Sequence, residues 1–378
     1  MHSISKPILF LTRSLDRGGA ERQLVVLAKG LARRGHTVAV AVFFGGGAYE
    51  AELSGAGVRV IHLNKKSRWD VLPFLSRLAR LLREERPVIL HSYLAVPNIL
   101  ATVLRPLVPA TRIIWGVRAS NMDLSRYDWL ARLAYALERY LARFANRIIA
   151  NSYAGKCHAV AKGFPEDKIV VIPNGIDTEY FKFEAEGRRL VRSAWGVTEH
   201  EILVGLVGRL DPMKDHSIFL AAAGRIAQVH RDIRFVCVGG GPADYTEKLK
   251  QQAAGLGLTS RLIWAGARDN MPAVYSALDI ATSPSSYGEG FSNTIAEAMA
   301  CGVPCVVTNV GDSALIVGEA GSVVAPGDSF ALAAAIQHLV ELASDERRAL
   351  GEACRVRIVY EFGVDRLIQR TEQTLGLV

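Results

Sequence analysis

Residues 283–302 read SPSSYGEGFSNTIAEAMACG, and the fold prediction starts from this stretch. The apolar residues 278–282 (LDIAT) form a strand pattern before it. A polar turn with Glu289 and Gly290 then leads to a helix pattern that starts at Ser292 or Asn293. Either residue is a good N-cap. A helix start carries unpaired N–H groups and the positive end of the helix dipole, so a strand, a glycine turn and a helix in this order predict a phosphate site.

Two carboxylates flank this predicted site. Glu289 lies in the turn and Glu297 in the helix, and eight positions at helical rise separate their backbones by roughly 12 Å. Helical side chains lean toward the N-terminus, so Glu297 is expected to point toward the turn. The pattern indicates an elongated ligand with a phosphate in the middle and hydroxyl groups at both ends, as in a nucleotide sugar. The alternative is that Glu297 is a solvated helix carboxylate.

The composition is that of an α/β enzyme with two domains. The chain has 378 residues, of which 50% are hydrophobic, and this length is enough for two separate cores. No apolar run is long enough for a membrane span, so we expect a cytoplasmic protein. The five cysteines fit neither a disulfide framework nor a zinc pattern; they are Cys157, Cys237, Cys301, Cys305 and Cys354.

The net charge of +8 is unevenly distributed. Residues 1–180 hold 26 Lys+Arg against 14 Asp+Glu, which gives +12, and residues 181–378 hold 19 against 23, which gives −4. No nucleic-acid fold signature accompanies the basic half. An anionic membrane face or an anionic acceptor is therefore the predicted partner, and nucleic acid is not.

Strand patterns alternate with helical segments along the whole chain. This order predicts an α/β fold of two Rossmann-like, doubly wound parallel-sheet domains that face each other across a cleft. Pro173, Asn174 and Gly175 mark the boundary, so residues 1–178 form the first domain and 179–356 the second, with a final helix at 357–378 crossing back over the first. The strand patterns lie at 8–12, 37–43, 58–62, 87–91, 112–116, 146–150, 202–207, 233–238, 261–264, 278–282 and 304–307.

Two helical stretches in the first half, 69–86 and 126–147, combine arginine with aromatic residues and leucine. Such helices can lie on an anionic bilayer. They can equally be ordinary amphipathic helices with a solvated arginine face.

Three positions in the first domain are candidates for ligand contact. Gly18 and Gly19 follow the first strand, where they allow either a close backbone approach or a tight turn. His91 ends the strand pattern PVILH, and the carboxyl end of a parallel strand faces the ligand crevice. A buried structural histidine is the alternative.

The loop GRLDPMKDH at 208–216 follows a strand of the second domain and carries Arg209 and Lys214. Two cations in one such loop favour binding of a diphosphate over two separate surface salt bridges. The loop GGGPAD at 239–244 lacks the third glycine of the dinucleotide fingerprint, which argues against a nicotinamide or flavin enzyme.

Taken together, these motifs resemble the retaining GT-B glycosyltransferases of glycosyltransferase family 4, group 1, of the bacterial polysaccharide and lipopolysaccharide type. The resemblance runs over nearly the whole chain. It rests on GGAER at 18–22, His91, PNGID at 173–177, GRLDPMKD at 208–215, EGFSNTIAEAMACGVPCV at 289–306 and APGD at 325–328.

The resemblance implies two groups of site residues. The catalytic group comprises Arg209, Lys214, Glu289 and His91. The donor-binding group comprises Gly18, Gly19, Gly208, Arg268, Gly290, Phe291, Ser292, Asn293, Thr294 and Glu297. Within these groups the resemblance implies that Arg209 and Lys214 bind the diphosphate and that Glu297 binds the ribose hydroxyls. Glu289 is expected to bind the donor sugar together with the backbone of Gly290 and Phe291. Gly19 is expected to contact the phosphate from the first domain, and His91 the sugar near its reacting carbon.

One departure from the family pattern lies after Gly311, where Asp312 and Leu315 stand in place of a second glycine and a glutamate. The contact expected of this loop is therefore in doubt.

The resemblance also implies a reaction. A sugar moves from a nucleotide sugar, for which UDP-N-acetylhexosamine or a related UDP-sugar is expected, to a hydroxyl of a lipid-linked saccharide with retention at the anomeric carbon. We expect no cofactor and no metal, which agrees with the absence of an Asp-x-Asp motif from the chain. We also expect a cytoplasmic protein, peripheral on the inner face of the cell membrane, in polysaccharide or lipopolysaccharide biosynthesis. The alternatives are a nucleotide-sugar epimerase of the same fold and a non-catalytic nucleotide-sugar-binding protein.

Overall fold

The computed structural model describes residues 6–67, 69–118 and 136–377. Its contacts divide the chain into two compact units. The N-terminal unit comprises Met1–Gly175 and Val364–Val378, and the C-terminal unit comprises Ile176–Gly363. The chain thus changes unit after Gly175 and Gly363, whereas the sequence prediction placed these points after 178 and 356.

The N-terminal unit is built on a parallel sheet, in which seven strands lie within the described residues. The strand order is β3-β2-β1-β4-β5-β6-β7. The first and second strands pair in register from Ile8↔Val38 to Thr12↔Val42. The strands are β1 Ile8–Thr12, β2 Val38–Val42, β3 Arg59–His62, β4 Ile89–Tyr93, β5 Arg112–Val117, β6 Arg147–Ala150 and β7 Ile169–Val171.

The C-terminal unit has a parallel sheet of its own, with the order β10-β9-β8-β11-β12-β13. Its edge strand at Ser322–Val324 is half-exposed and was not predicted from the sequence. The strands are β8 Ile202–Val207, β9 Ile233–Val238, β10 Leu262–Gly266, β11 Ile280–Ser283, β12 Cys305–Thr308 and β13 Ser322–Val324.

Helices connect the strands of both sheets. The predicted helix at 69–86 is observed as α3, and the predicted helix at 126–147 lies largely outside the described residues, of which 136–141 are helical. The helices with named bounds are α1 Gly19–Arg33, α2 Glu50–Gly55, α3 Leu72–Glu85, α4 Ala95–Val103, α5 Tyr153–Ala161, α6 Ala185–Ala194, α7 His216–Val229, α8 Ala243–Gly255, α9 Met271–Ala277, α10 Asn293–Ala300, α11 Ser313–Val317, α12 Ser329–Glu341, α13 Ser344–Phe362 and α14 Val364–Leu375.

Each sheet is covered on both faces, as parallel sheets require. Ile8 and Phe10 of β1 belong to one core cluster, while their neighbours Leu9 and Leu11 belong to another on the opposite face. Val204 and Leu203 of β8 are divided between two clusters in the same way. The prediction of two Rossmann-like parallel-sheet domains is confirmed.

The last helix, α14, belongs to the N-terminal unit. Leu367 and Ile368 are buried in the same cluster as residues of α1. Glu372 Oε2 accepts a hydrogen bond from Arg34 Nη1 at 2.8 Å, and its Oε1 lies 2.9 Å from Nε2 of His36. Within the described residues, no helix combines the length and the apolar character needed to cross a bilayer.

Candidate active site

The sequence stretch 283–302 forms a strand end, a turn and a helix in the predicted order. Strand β11 ends at Ser283, and α10 begins at Asn293 with Ser292 as its N-cap, so the predicted helix start is correct. The Ser292 hydroxyl does not cap the first turn and lies 3.3 Å from Thr294 Oγ1. The helix start therefore lacks the internal side-chain cap that most first turns have.

Lys214 is held in a short turn between two aspartate caps. Asp211 accepts a hydrogen bond from Met213 N at 2.9 Å and caps the 3₁₀ turn Pro212–Lys214. Asp215 has a left-handed backbone (φ 48°) and caps α7 by accepting from Ile218 N at 3.2 Å. Aspartate tolerates that backbone region better than most residues. The sequence DPMKD thus fixes where the lysine leaves the chain.

Lys214 and Glu289 form an ion pair that joins the two loops. Lys214 Nζ donates to Glu289 Oε1 at 2.5 Å, and Ser285 Oγ donates to the same oxygen at 2.7 Å. Both charged side chains are largely buried. The backbones also interlock, because Ser286 N donates to Met213 O at 3.0 Å. The loop after β8 and the turn after β11 therefore behave as one structure.

The sequence analysis left two interpretations of Lys214, a phosphate ligand or a salt bridge, and the ion pair is compatible with both. It is a salt bridge in this structure, yet an ammonium group has three N–H donors, so a lysine that donates to Glu289 can also bond to phosphate oxygens. Arg209, in the same loop, is exposed and forms no ion pair within the described residues. The roles of these residues in donor binding remain predictions.

Glu297 is oriented by a buried tyrosine that the sequence analysis missed. Tyr275, in α9, donates its hydroxyl to Glu297 Oε2 at 2.8 Å. Burial raises the pKa of Tyr275 well above its ordinary value, and the Glu297 charge raises it further, so the hydroxyl stays protonated. No sequence pattern links two residues on different helices, so only the structure could identify this contact.

Glycines allow other loops to approach the two site loops. A Cβ on Gly239 (φ 149°) would lie 1.9 Å from Gly208 O, so residues 239–241 give room for the loop of Arg209. A Cβ on Gly311 (φ 62°) would lie 2.6 Å from Glu289 O. Asp312 N donates to Gly290 O at 3.0 Å, so this loop supports the Glu289 turn by its backbone despite the departures at Asp312 and Leu315.

The remaining residues predicted to bind the donor in the C-terminal unit have different surroundings. Gly208 lies under Lys214, whose Cδ would be 3.5 Å from a Cβ at this position. The Phe291 ring packs on Phe362 with centroids 5.3 Å apart, which leaves only its backbone for a ligand. Arg268 is exposed in the segment after the edge strand β10.

In the N-terminal unit, Gly18 is the N-cap of α1, which starts at Gly19. The Glu21 carboxylate folds onto this cap, because a Cβ on Gly18 would lie 2.1 Å from Glu21 Oε2. A phosphate at this helix start would have to displace that carboxylate. The predicted contacts of Gly18 and Gly19 remain untested.

The prediction that His91 ends its strand is wrong. Strand β4 continues to Tyr93, and His91 lies inside it, paired with Phe10 and Ile114. Its ring is fully buried between Phe10 and Tyr93, with centroid distances of 5.2 and 4.8 Å. Burial lowers the pKa of His91 well below its ordinary value, and the charge of Arg118 lowers it further. The apolar pattern of PVIL could not show that two polar residues, Ser92 and Tyr93, extend the strand.

No cluster of three or more potential metal ligands occurs among residues 6–67, 69–118 and 136–377. The five cysteines are free thiols, and burial raises the pKa of Cys301 and of Cys354 to about 12. These two thiols therefore stay protonated and are not nucleophiles at neutral pH.

Two family profiles match this chain, one over each half. Residues 17–180 match Glycosyltransferase Family 4, and residues 201–342 match Glycosyl transferases group 1. The chain belongs to these family 4 glycosyltransferases, as the resemblance predicted, and its two Rossmann-like units are those of the GT-B fold.

The chain is similar to several characterised transferases. It is 27% identical over 302 residues to the UDP-Gal:alpha-D-GlcNAc-diphosphoundecaprenol alpha-1,3-galactosyltransferase of Escherichia coli, covering 78% of this chain and 77% of that enzyme. It is 31% identical over 253 residues to the D-inositol 3-phosphate glycosyltransferase of Mycobacterium leprae, covering 63% of this chain and 57% of that one.

Solved structures give the same picture of the fold. Anabaena HepE in complex with UDP has a TM-score of 0.86 at 25% identity, over 98% of this chain and 100% of that one. WaaG, a glycosyltransferase involved in lipopolysaccharide biosynthesis, has a TM-score of 0.72 at 17% identity over 98% of this chain and 100% of that one, which shows the fold alone. The matching family profiles and the two named relatives are glycosyltransferases, which favours a glycosyltransferase over the epimerase and the non-catalytic binding protein.

Proposed function

We propose that this glycosyltransferase transfers a sugar from a UDP-sugar to a hydroxyl of a lipid-linked saccharide, with retention at the anomeric carbon. The observation that carries the proposal is the Lys214–Glu289 ion pair, which holds a lysine in the loop beside the turn that leads into α10. UDP in the HepE structure supports the choice of base. The diphosphoundecaprenol acceptor named for the E. coli relative supports the choice of acceptor.

The chemistry follows from where negative charge develops. When the bond between sugar and diphosphate breaks, charge accumulates on the leaving diphosphate, and preorganised cations lower the barrier to that step. Lys214, Arg209 and the N–H groups of the α10 start would supply this stabilisation, so we propose that the enzyme needs no metal. The acceptor hydroxyl would attack on the face that the diphosphate leaves and pass its proton to that leaving group.

The Tyr275–Glu297 pair would bind the ribose. A carboxylate accepts hydrogen bonds from two vicinal hydroxyls, and the Tyr275 hydroxyl fixes one of its oxygens at 2.8 Å. Glu297 is only half-buried, so its carboxylate is accessible to a ligand. Ribose binding would discriminate nucleotide sugars from sugar phosphates that lack the nucleoside.

NMR of the transfer reaction tests the proposal. The enzyme is incubated with UDP-galactose, UDP-glucose, UDP-N-acetylglucosamine or GDP-mannose, with a GlcNAc-diphosphate lipid as acceptor, and with or without EDTA. An α-linked product from a UDP-sugar, formed equally with EDTA, is expected. A β-linked product contradicts retention, loss of activity with EDTA contradicts metal independence, and conversion of the donor without acceptor indicates the epimerase.

We further propose that the N-terminal unit contacts an anionic membrane, which would place the protein on the inner face of the cell membrane. Trp69 is 81% exposed and Leu72 79% exposed at the start of α3, and the exposed Lys66 lies nearby in sequence. An exposed aromatic and aliphatic tip beside lysines is typical of membrane-surface contacts.

Liposome flotation tests this part separately. Wild type should float with vesicles that contain 30% phosphatidylglycerol, and the double variant Trp69→Ser/Leu72→Ser should not. The matched control is Val229→Ser, which removes a 67% exposed apolar residue from the C-terminal unit. Equal flotation of wild type and the double variant would contradict membrane contact through α3.

A further inference from the structure

Arg118 lies where β5 ends, at the carboxyl edge of the sheet in the N-terminal unit. Its Nη2 donates to Tyr93 Oη at 2.7 Å, and its Nη1 donates to Asn174 Oδ1 at 3.1 Å. The guanidinium carbon lies 4.6 Å from the centre of the Tyr93 ring. Tyr93 and Asn174 are buried, whereas Arg118 is half-buried. Two neutral side chains therefore fix the orientation of one cation.

Other arginines of the chain that are held this firmly have a different environment. Arg192 donates to Asp279 Oδ2 at 3.0 Å and to backbone carbonyls. Arg355 donates to three backbone carbonyls, with distances from 2.5 to 3.1 Å. In these contacts the N–H donors of the guanidinium bind backbone carbonyls and a carboxylate, which is a structural role.

Arg118 contacts neither kind of group. Across the described ranges of the chain, Arg118 forms no ion pair with a carboxylate and no hydrogen bond to a backbone carbonyl, and its Nε is buried without a partner. A guanidinium has five N–H donors. Among the residues that the structure describes, the positive charge of Arg118 is therefore oriented but not neutralised.

The position of Arg118 favours contact with a ligand. Tyr93 pairs with Gly116 across β4 and β5, so the cation lies over the carboxyl ends of two adjacent central strands. Open parallel sheets bind their ligands at this edge. The field of the cation also reaches its neighbours, since it contributes, after burial, to the lowered pKa of His91.

We propose that Arg118 binds a phosphate group of the acceptor, with Tyr93 and Asn174 as its positioning residues. The inference rests on the proposed function, in which the acceptor is a saccharide linked to a lipid through a diphosphate. A planar guanidinium bonds to two phosphate oxygens at once, and such charged pairs are stronger than hydrogen bonds to sugar hydroxyls. In the proposed reaction Arg118 holds the acceptor and takes no part in proton transfer.

A purely structural role makes a different prediction. If Arg118 serves only to tie the end of β4 to the segment after β7, its loss lowers the unfolding temperature and leaves phosphate binding unchanged. The charge-preserving Arg118→Lys and the neutral Arg118→Gln separate the two roles, because both break the fork geometry but only the second removes the charge.

Calorimetric titration with inorganic pyrophosphate, in the presence of saturating UDP, tests the proposal. UDP occupies the proposed donor site, so the remaining pyrophosphate binding reports on other sites. We expect wild type to bind pyrophosphate, Arg118→Gln to bind it at least tenfold more weakly, and Arg118→Lys to lose less. Arg83→Gln, at an exposed position on α3, is the matched control and should bind like wild type.

Two results would overturn the proposal: no pyrophosphate binding by wild type, or equal affinity of wild type and Arg118→Gln. The dissociation constant of UDP, which Arg118→Gln should leave unchanged, keeps the donor proposal separate. If wild type fails to bind UDP, the proposed function is wrong, and the Arg118 comparison is repeated without UDP. Farnesyl diphosphate and glucose 1-phosphate are titrated in the same way to distinguish a lipid diphosphate from a soluble sugar phosphate. The ligand source is the one whose affinity falls in Arg118→Gln.

Discussion

Lys214 and Glu289 are the pair of charges on which the proposed donor site depends. Each is largely buried, and each would lose this ion pair if the other were removed. Breaking a buried pair on one side is costly because the remaining charge stays desolvated. For each substitution at this pair, both the free energy of unfolding and the affinity for UDP must therefore be measured.

Lys214→Gln is expected to weaken UDP binding. A charged hydrogen bond contributes about 1.5–3 kcal/mol, which is roughly 10- to 150-fold in Kd. Titration calorimetry measures this change, with Lys248→Gln at an exposed position of α8 as the control. The double variant Lys214→Gln/Glu289→Gln should recover stability without recovering affinity. An unchanged Kd in Lys214→Gln would show that the lysine has only a structural role.

His216 makes the stability of the protein depend on pH. Burial lowers its pKa from the ordinary 6.5 to about 4, and Lys214 lowers it while Asp211 opposes the shift. The unfolded chain takes up a proton near pH 6.5, but the folded chain stays neutral down to about pH 4. The contribution of His216 is therefore complete above pH 6.5 and is lost as the pH falls toward 4.

We expect this histidine to account for about 2 kcal/mol of the stability lost between pH 7.5 and 5.0, at about 1.4 kcal/mol per pH unit below 6.5. Urea unfolding at both pH values gives the difference for wild type and for His216→Gln. The variant should lose about 2 kcal/mol less than wild type, and His338→Gln at an exposed position is the control. Equal losses in wild type and His216→Gln would show that burial of His216 does not set this dependence.

Among the elements, the loop after β12 supports the Glu289 turn through its backbone. Gly311 has a left-handed backbone and lies against two carbonyl oxygens, Glu289 O and Gly290 O. An alanine there would meet backbone atoms, which cannot move as a side chain does. The turn and the loop must then separate.

Gly311→Ala should lower both the unfolding temperature and the affinity for UDP. The matched control is Gly327→Ala, because Gly327 has a similar φ of 78° but no atom within 4 Å of its Cβ position. Both variants carry the left-handed strain of about 1–2 kcal/mol, and only Gly311→Ala displaces the turn. Equal UDP affinities in the two variants would contradict the supporting role of this loop.

The elements that the sequence predicted well have strong local signals. The strands β8 and β9 match their predicted bounds because both are predominantly apolar segments, and α10 starts at the predicted cap. Strand β13 was missed because it has three residues and a half-exposed pattern. Its pairing with β12 comes from tertiary contact and not from local pattern.

The local geometry of the candidate site was predictable from the sequence, whereas its long-range contacts were not. Glycines, aspartate caps and the spacing of Glu289 and Glu297 leave local signatures in the sequence. The bond from Lys214 to Glu289 spans 75 positions and that from Tyr275 to Glu297 spans 22, so neither has a local signature. His91 was misplaced for the same reason, since its burial depends on Phe10 in another strand.

Across the whole molecule, the N-terminal unit is completed by the last segment of the chain. Leu367 is buried, and its side chain lies against Gly175, where a Cβ would be 2.9 Å from Leu367 Cβ. Only glycine fits under this leucine. The first and last parts of the chain thus share one core.

Leu367→Ala is expected to destabilise the N-terminal unit by about 2–5 kcal/mol, the usual cost of truncating a buried leucine. Thermal unfolding with and without UDP measures this loss of stability. Val356→Ala, at a 67% exposed position, is the control. UDP affinity should be retained, because Lys214 and Glu297, to which the proposal assigns the diphosphate and the ribose, lie in the C-terminal unit. Loss of UDP binding in Leu367→Ala would contradict this assignment.

The central claim is that the α10 start, with Glu297 and Lys214, is the donor site of a UDP-sugar glycosyltransferase. Titration calorimetry of UDP, GDP and ADP against wild type, Glu297→Gln and the exposed control Glu319→Gln tests it most directly. We predict one UDP bound per chain, weaker binding of GDP and ADP, and at least a tenfold loss in Glu297→Gln alone. Failure of wild type to bind UDP, or equal UDP affinity in Glu297→Gln, would contradict the claim.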